Sequence, residues 1–167
     1  KNESGHIFKV LHDGKIPAFS YQEENLNEYS INLAAEVHDN ALEWLLKTHN
    51  TTEDIFPHEV LSNLVLTEVQ CVLITAVGAG NDLPYVCSKI GKKGKIYCQD
   101  FSQQMLFAAY DRCQNKFGLH EYDISFSLSD AVNLPFEDNY FDVVYHFGGI
   151  NIFSDIAKGI SEMERVV

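Results

Sequence analysis

The chain predicts a doubly wound α/β fold, with a mainly parallel sheet and helices on both faces. Three observations carry this. From Thr67 onward, apolar runs of strand length alternate with helical patterns, the order that yields parallel strands joined by right-handed crossovers. The run Val72-Leu73-Ile74-Thr75-Ala76-Val77 empties into Gly78-Ala79-Gly80, and a helical pattern begins almost at once. Gly78, Asp100, Asp130 and His146 fall at or just past the ends of successive strands. In such sheets, ligands sit outside the carboxyl ends of the strands.

The 167 residues amount to one domain or most of one. Hydrophobic residues make up 46% and charged residues 22%, enough for a core in an ordinary globular chain. The longest apolar run, 71–80, is about half of the roughly 20 residues that a membrane helix needs, so no membrane partner is expected. A net charge of −12 disfavours nucleic acid and anionic membrane surfaces as partners. No signal-peptide pattern opens the chain, and Lys1 in place of Met suggests residues cut from its start. Four cysteines stand outside any C-x-x-C pair and inside apolar patterns. They read as reduced core thiols of a cytoplasmic protein, with no metal site.

Two regions are expected: a helical arm over 1–66 and a glycine-loop domain over 67–167. In the arm, residues 1–20 read as irregular, with a turn signal at Asp13-Gly14 and Pro17. Residues 31–47 form an amphipathic helix. Ala34, Val37, Ala41, Trp44 and Leu45 share its apolar face, while Glu36, Asp39, Glu43 and Lys47 line the other. Thr51 or Thr52 caps a short helix through Leu64, interrupted early by Pro57.

In the second region, 71–76 is the first strand. The helix over 81–90 turns Leu83, Val86, Cys87 and Ile90 inward and tolerates Pro84 in its first turn. Residues 95–99 form the second strand, ending at Asp100. Ser102 caps a helix to Lys116, and Gly118 stops it. Ile124, Phe126 and Leu128 alternate as the third strand, and 141–147 is the fourth. Ser154 or Asp155 starts a last helix with Ile156, Ile160, Met163 and Val167 on one face. The fold is expected to be cut short after the fourth strand. That strand then becomes a sheet edge, to be covered by a missing C-terminal segment or by the second copy of a homodimer.

The strand, glycine turn and helix start together form a nucleotide cradle, because glycine admits a close ligand and the helix start offers free N–H groups. Asp100, 20 positions after Gly80, suits a ribose diol, a feature shared by NAD and S-adenosylmethionine sites. Leu83 occupies the third glycine position of the dinucleotide fingerprint, which weakens the NAD reading. No Gly-Lys-Ser/Thr follows, which removes a P-loop.

Three segments in order, Ala76-Val77-Gly78-Ala79-Gly80, Gly94 to Ser102 and Ser129 to Phe136, resemble the motifs of class I S-adenosylmethionine-dependent methyltransferases. The likeness is to the small-molecule branch with quinone and sterol methyltransferases, which are Rossmann-like. The resemblance implies methyl transfer from S-adenosylmethionine to a small-molecule acceptor, leaving S-adenosylhomocysteine. It implies that Ala76, Gly78 and Gly80 hold the methionine end and ribose, and that Asp100 takes the ribose hydroxyls. Phe101 then packs on the adenine, Asp130 accepts from its amino group, and the Ala131 N–H reaches a ring nitrogen. His146 and Phe147 line the methyl-donor side, with His146 the candidate base. The arm acts as a lid, with Tyr21 and Tyr29 as contributors, and Asp142 orders the loop before its strand. Two positions depart from the pattern: Ile74 stands where the family has an acid, and Ala76 where it has its first glycine. The acid's contact to the amino-acid portion then shifts to Thr75 or Asp82, or is dispensed with. Two other readings stand beside this one: a catalytically silent binding or assembly module, and an NAD-linked oxidoreductase.

Overall fold

The computed structural model describes residues 7–11, 13–19, 34–52 and 59–167. Its centre is a six-stranded sheet in the order β1-β2-β5-β4-β3-β6. The strands are β1 (Ile7–Leu11), β2 (Ile16–Phe19), β3 (Cys71–Thr75), β4 (Lys95–Asp100), β5 (Asp123–Leu128) and β6 (Val143–His146). The helices are α1 (Ala34–Thr48), α2 (Leu83–Ile90), α3 (Gln103–Asn115) and α4 (Ile156–Val166), with a 3-10 turn at Ile150–Ile152 before α4. From β2 to β6 every pairing is parallel. The register brings Thr75 level with Gln99 and His146, and Asp100 level with Leu128. The carboxyl ends of four strands therefore share one rim.

The alternation of β3 explains the layers. Val72 and Ile74 point into a large core with α2 and α3 residues such as Val86 and Leu106. Leu73 points the other way, into a smaller core with Leu134, Phe141 and Val166. Asp142 fixes the start of β6. Its carboxylate accepts the Cys71 N–H at 2.7 Å, and its own N–H donates to the Cys71 carbonyl at 2.9 Å. Ser102 caps α3 by accepting from the Met105 N–H.

Three expectations need correction. Residues 7–19 are not an irregular arm. Asp13 and Gly14 both take left-handed φ values, so the turn signal closes a β-hairpin. Its second strand lies parallel to β5, with Ala18 opposite Leu128, and buries Ile16 and Ala18 completely. In α1, the apolar face named from the pattern is mostly turned outward: Val37 is 56% exposed and Trp44 69%. Of that face Ala34 is buried as expected, and Leu46, which the pattern did not name, is buried with it, while Asp39 turns toward α3 to pair with Arg112. In α4, Ile156, Ile160 and Val167 are exposed, and the inward residues are Gly159, Met163 and Val166. Gly159 faces inward because a Cβ there would meet the Phe153 ring at 2.5 Å. Residues 53–58 of the segment proposed to follow Thr52, including Pro57, lie outside the described residues, as do Tyr21 and Tyr29.

The four cysteines are thiols, and Cys87, Cys98 and Cys113 are buried. Burial pushes Cys87 and Cys113 up to about 12.

Candidate functional site

The rim is stitched by hydrogen bonds that run from strand to strand. The turn after β3 needs left-handed backbone at three alternate positions: φ is 50° at Ala76, 58° at Gly78 and 74° at Gly80. Gly80 also permits close packing, since a Cβ there would lie 2.8 Å from Leu83 and 3.2 Å from the Ala109 Cβ of α3. The Gly78 N–H donates to one oxygen of Asp100 at 2.8 Å, and the Ser102 N–H to the other at 2.8 Å. One buried carboxylate thus joins the turn after β3 to the start of α3. Burial raises Asp100 from its ordinary 3.8 to about 6, against the pull of these N–H donors.

Gln99, 1% exposed, makes the second stitch. Its side-chain oxygen accepts the Ala76 N–H at 3.2 Å, and its amide nitrogen donates to the Ser129 carbonyl. Its backbone carbonyl accepts the Val77 N–H at 3.0 Å, and the Ser129 N–H donates to the Asp100 carbonyl at 3.1 Å. The ends of β3, β4 and β5 are held as one piece.

Asp82 precedes α2 but makes no capping bond with its side chain. The carboxylate instead accepts from the hydroxyl of Tyr145, which stands opposite Ile74 in the β3–β6 pairing. Burial raises the pKa of Asp82 and that of the Tyr145 hydroxyl. Thr75 is fully buried, and its hydroxyl donates to the Tyr145 carbonyl at 3.3 Å.

These parts enclose a cavity of about 360 Å³, in the size range of small-molecule sites. Residues Ala76 to Gly80, Asp82 and Asp100 line it, with Phe101 and Met105 on the α3 side and Phe147 and Ile152 beyond β6. Helix α1 closes it with Leu42, Leu45 and Leu46. That helix is pinned to the rim: Arg112 of α3 holds both oxygens of Asp39 and the side-chain oxygen of Asn81, the last at 2.7 Å. No Lys or Arg lines the cavity among the described residues.

The cavity brings together Ala76, Gly78, Gly80, Asp100, Phe101 and Phe147 from the residues expected at the site. Asp130, Ala131 and His146 are not among its lining. Asp130 orders its own loop by accepting the Val132 N–H at 3.0 Å. The Nδ1 of His146 lies 3.1 Å from the Thr75 carbonyl, so it carries the hydrogen and the lone pair falls on Nε2. That Nε2 is buried without a partner among the described residues, and burial lowers the pKa of the ring. Gln99, Met105 and Tyr145 were not foreseen as site residues. Gln99 carried a signal, being a polar residue in an apolar strand beside the key acid.

A parallel sheet that offers a glycine turn and a buried acid to one cavity at its carboxyl rim is a Rossmann-like cofactor-binding domain. The chain belongs to the ubiE/COQ5 methyltransferase family, whose model matches residues 46–167. It is 31% identical over 90 residues to the 2-phytyl-1,4-naphtoquinone methyltransferase of Trichormus variabilis, covering 54% of this chain and 38% of that protein. It is 35% identical over 97 residues to the ubiquinone/menaquinone biosynthesis C-methyltransferase UbiE of Francisella philomiragia, covering 58% and 38%. The chain therefore spans about two fifths of the length of these relatives. Among solved structures, a SAM dependent methyltransferase from Aquifex aeolicus matches with TM-score 0.59 at 29% identity, over 66% of this chain and 57% of that one. A Methanococcus maripaludis structure covers 88% of this chain and 63% of its own at TM-score 0.66 and 22% identity, a likeness of fold alone.

Proposed function

We propose that this chain binds S-adenosylmethionine and serves methyl transfer to a small-molecule acceptor. The observation that carries the proposal is the cavity at the strand ends, lined by the glycine turn, Asp82 and Asp100, with His38 and no lysine or arginine among the described residues. Such a lining fits a ligand that brings ribose hydroxyls and positive charge. The cofactor supplies a methyl group activated by a sulfonium. The chain's own residues bind, orient and exclude water. Asp100 is fixed by two N–H donors and keeps lone pairs for a ribose diol. Phe101 and Met105 offer apolar surface beside it, and Leu42, Leu45 and Leu46 shut out water. Asp130 and Ala131 serve the adenine end from the loop after β5. His146, one residue before the lining Phe147, is proposed as proton acceptor for an acidic nucleophile, through the lone pair on Nε2.

The relatives' printed names make a quinone-type ring the first acceptor class to test. The described residues contain no helix long and apolar enough to cross a membrane. We place the protein in the cytoplasm, with 67–167 as the cofactor domain and 1–66 as the segment before it, whose hairpin at β1 and β2 extends the same sheet. Beyond β6 the sheet edge has no paired strand among the described residues, which is where a second copy or further chain would cover it.

Calorimetry with S-adenosylhomocysteine and with NADH tests the proposal. Heat with the first ligand only is expected. Heat with NADH alone would move the chain to the oxidoreductase reading, and heat with neither would leave the silent-module reading.

A further inference from the structure

Helix α1 carries a stripe at every fourth position: Ala34, His38, Leu42 and Leu46. Such spacing puts all four on one face of a helix. Ala34 and Leu46 are buried, and His38, Leu42 and Leu46 line the cavity. His38 is the polar member of an otherwise apolar stripe. Its neighbour fixes the facing of the helix. Asp39, whose Oδ1 lies 3.7 Å from the Nδ1 of His38, is held on both oxygens by Arg112 of α3. A rotation that moved His38 off the cavity would break that grip. The polar side chains on the opposite wall are engaged within the rim. Asp100 takes the Gly78 and Ser102 N–H groups, Asp82 takes the Tyr145 hydroxyl, and the side-chain oxygen of Asn81 takes Arg112 at 2.7 Å. They stand with the glycine turn, where the cofactor is placed above. Among the described residues lining the cavity, side-chain N–H groups come from Asn81 on that wall and from His38 on α1. An imidazole carries an N–H in either protonation state. A negatively charged oxygen entering a cavity that already holds two acids is costly without such a donor.

We propose that His38 is the acceptor-binding residue: an imidazole N–H donates to the oxygen of an ionisable ring hydroxyl, while Leu42 and Leu46 take the apolar body of the ring. This rests on the S-adenosylmethionine reading above and leaves the proton-acceptor role with His146. It places the cofactor against the rim and the methyl acceptor against α1. His38 then sets specificity for a hydroxylated aromatic ring over the same ring without hydroxyls.

The test is anaerobic calorimetry on the purified protein, first with S-adenosylhomocysteine and then, at saturation, with two ring probes: 1,4-naphthohydroquinone and naphthalene, which has the same ring and no hydroxyl. The unmodified protein should bind the hydroquinone about tenfold more tightly than naphthalene. That arm needs no variant to fold. His38→Ala should weaken the hydroquinone by about tenfold while leaving naphthalene and S-adenosylhomocysteine within about twofold. His38→Gln keeps a side-chain N–H and should bring the hydroquinone back to within about threefold of its original affinity. Equal binding of the two ring probes by the unmodified protein would overturn the inference. So would a His38→Ala protein that keeps its affinity for the hydroquinone, or one that loses both rings alike. An unmodified protein that binds S-adenosylhomocysteine and neither ring also overturns it. In each of these cases the cofactor product is still bound by the unmodified protein, and the cofactor reading above stands. An unmodified protein that binds none of the three overturns both.

Discussion

Two walls of one cavity are built in opposite ways. The rim formed by the ends of β3, β4 and β5 is polar and buried, joined by the side chains of Gln99 and Asp100 and by backbone bonds between neighbouring strands. Helix α1, across from it, contributes apolar side chains and is tied to the rim by the grip of Arg112 on Asp39. A buried network of paired side-chain and backbone groups favours a single geometry. An apolar wall excludes water while fixing little about direction. The rim is thus the wall with fixed directions, and α1 the wall that mainly excludes water.

The largest effect should come from breaking the rim. Gln99→Leu keeps the bulk but strands the Ala76 N–H and the Ser129 carbonyl, and should cost about 3 kcal/mol in a denaturant titration. An unchanged midpoint would show that the stitch contributes little.

Asp100 comes next. Asp100→Asn should weaken S-adenosylhomocysteine by about 2 kcal/mol. The pH dependence has a definite sign. The folded-state pKa is raised from 3.8 to about 6. Between those values the native protein holds a proton that the unfolded chain has lost. The stability from that proton is full below the lower value and is lost as pH rises through the upper one. Asp100→Asn should flatten this slope in unfolding curves taken across the window. Ligand affinity should run the other way in the unmodified protein, rising through about pH 6 as the carboxylate ionises.

A smaller effect belongs to the opposite wall. Asp39→Asn should cost about 1.5 kcal/mol through the weakened pairing with Arg112. In hydrogen exchange, α1 should lose protection while β3, β4 and β5 keep theirs. Loss of protection in both walls would mean that they do not act independently. The smallest effect is a gain. Ala76 sits at φ 50°, where a Cβ is unfavourable, so Ala76→Gly should stabilise the protein by about 1 kcal/mol in thermal melts.

The same contrast governs what the sequence revealed. The parallel strands were legible because β3 and β4 are short, largely buried apolar runs between turn signals. The α3 cap was legible because Ser102 precedes a helical pattern. The rim acids could be placed because strand ends follow directly from strand spacing. The facing of α1 was not legible, since apolar residues lie around most of that helix and a long-range ion pair decides its rotation. The inward face of α4 was hidden because a glycine, invisible to an apolar count, lies under the Phe153 ring. The hairpin at 7–19 was missed because a turn signal does not say whether its flanks will pair. Gln99 and Tyr145 act through partners 30 and 63 positions away in the chain, a relation that no local pattern contains.

The buried cysteines have a practical consequence. Thiols reach reagents as thiolates, and Cys87, Cys98 and Cys113 are both enclosed and held in the protonated form by burial. Cys71, at the start of β3, is only partly enclosed, although burial raises its thiol as well. Alkylation of this protein therefore keeps two clocks. One reads the fraying of a strand end, and the other reads how often the whole sheet comes apart.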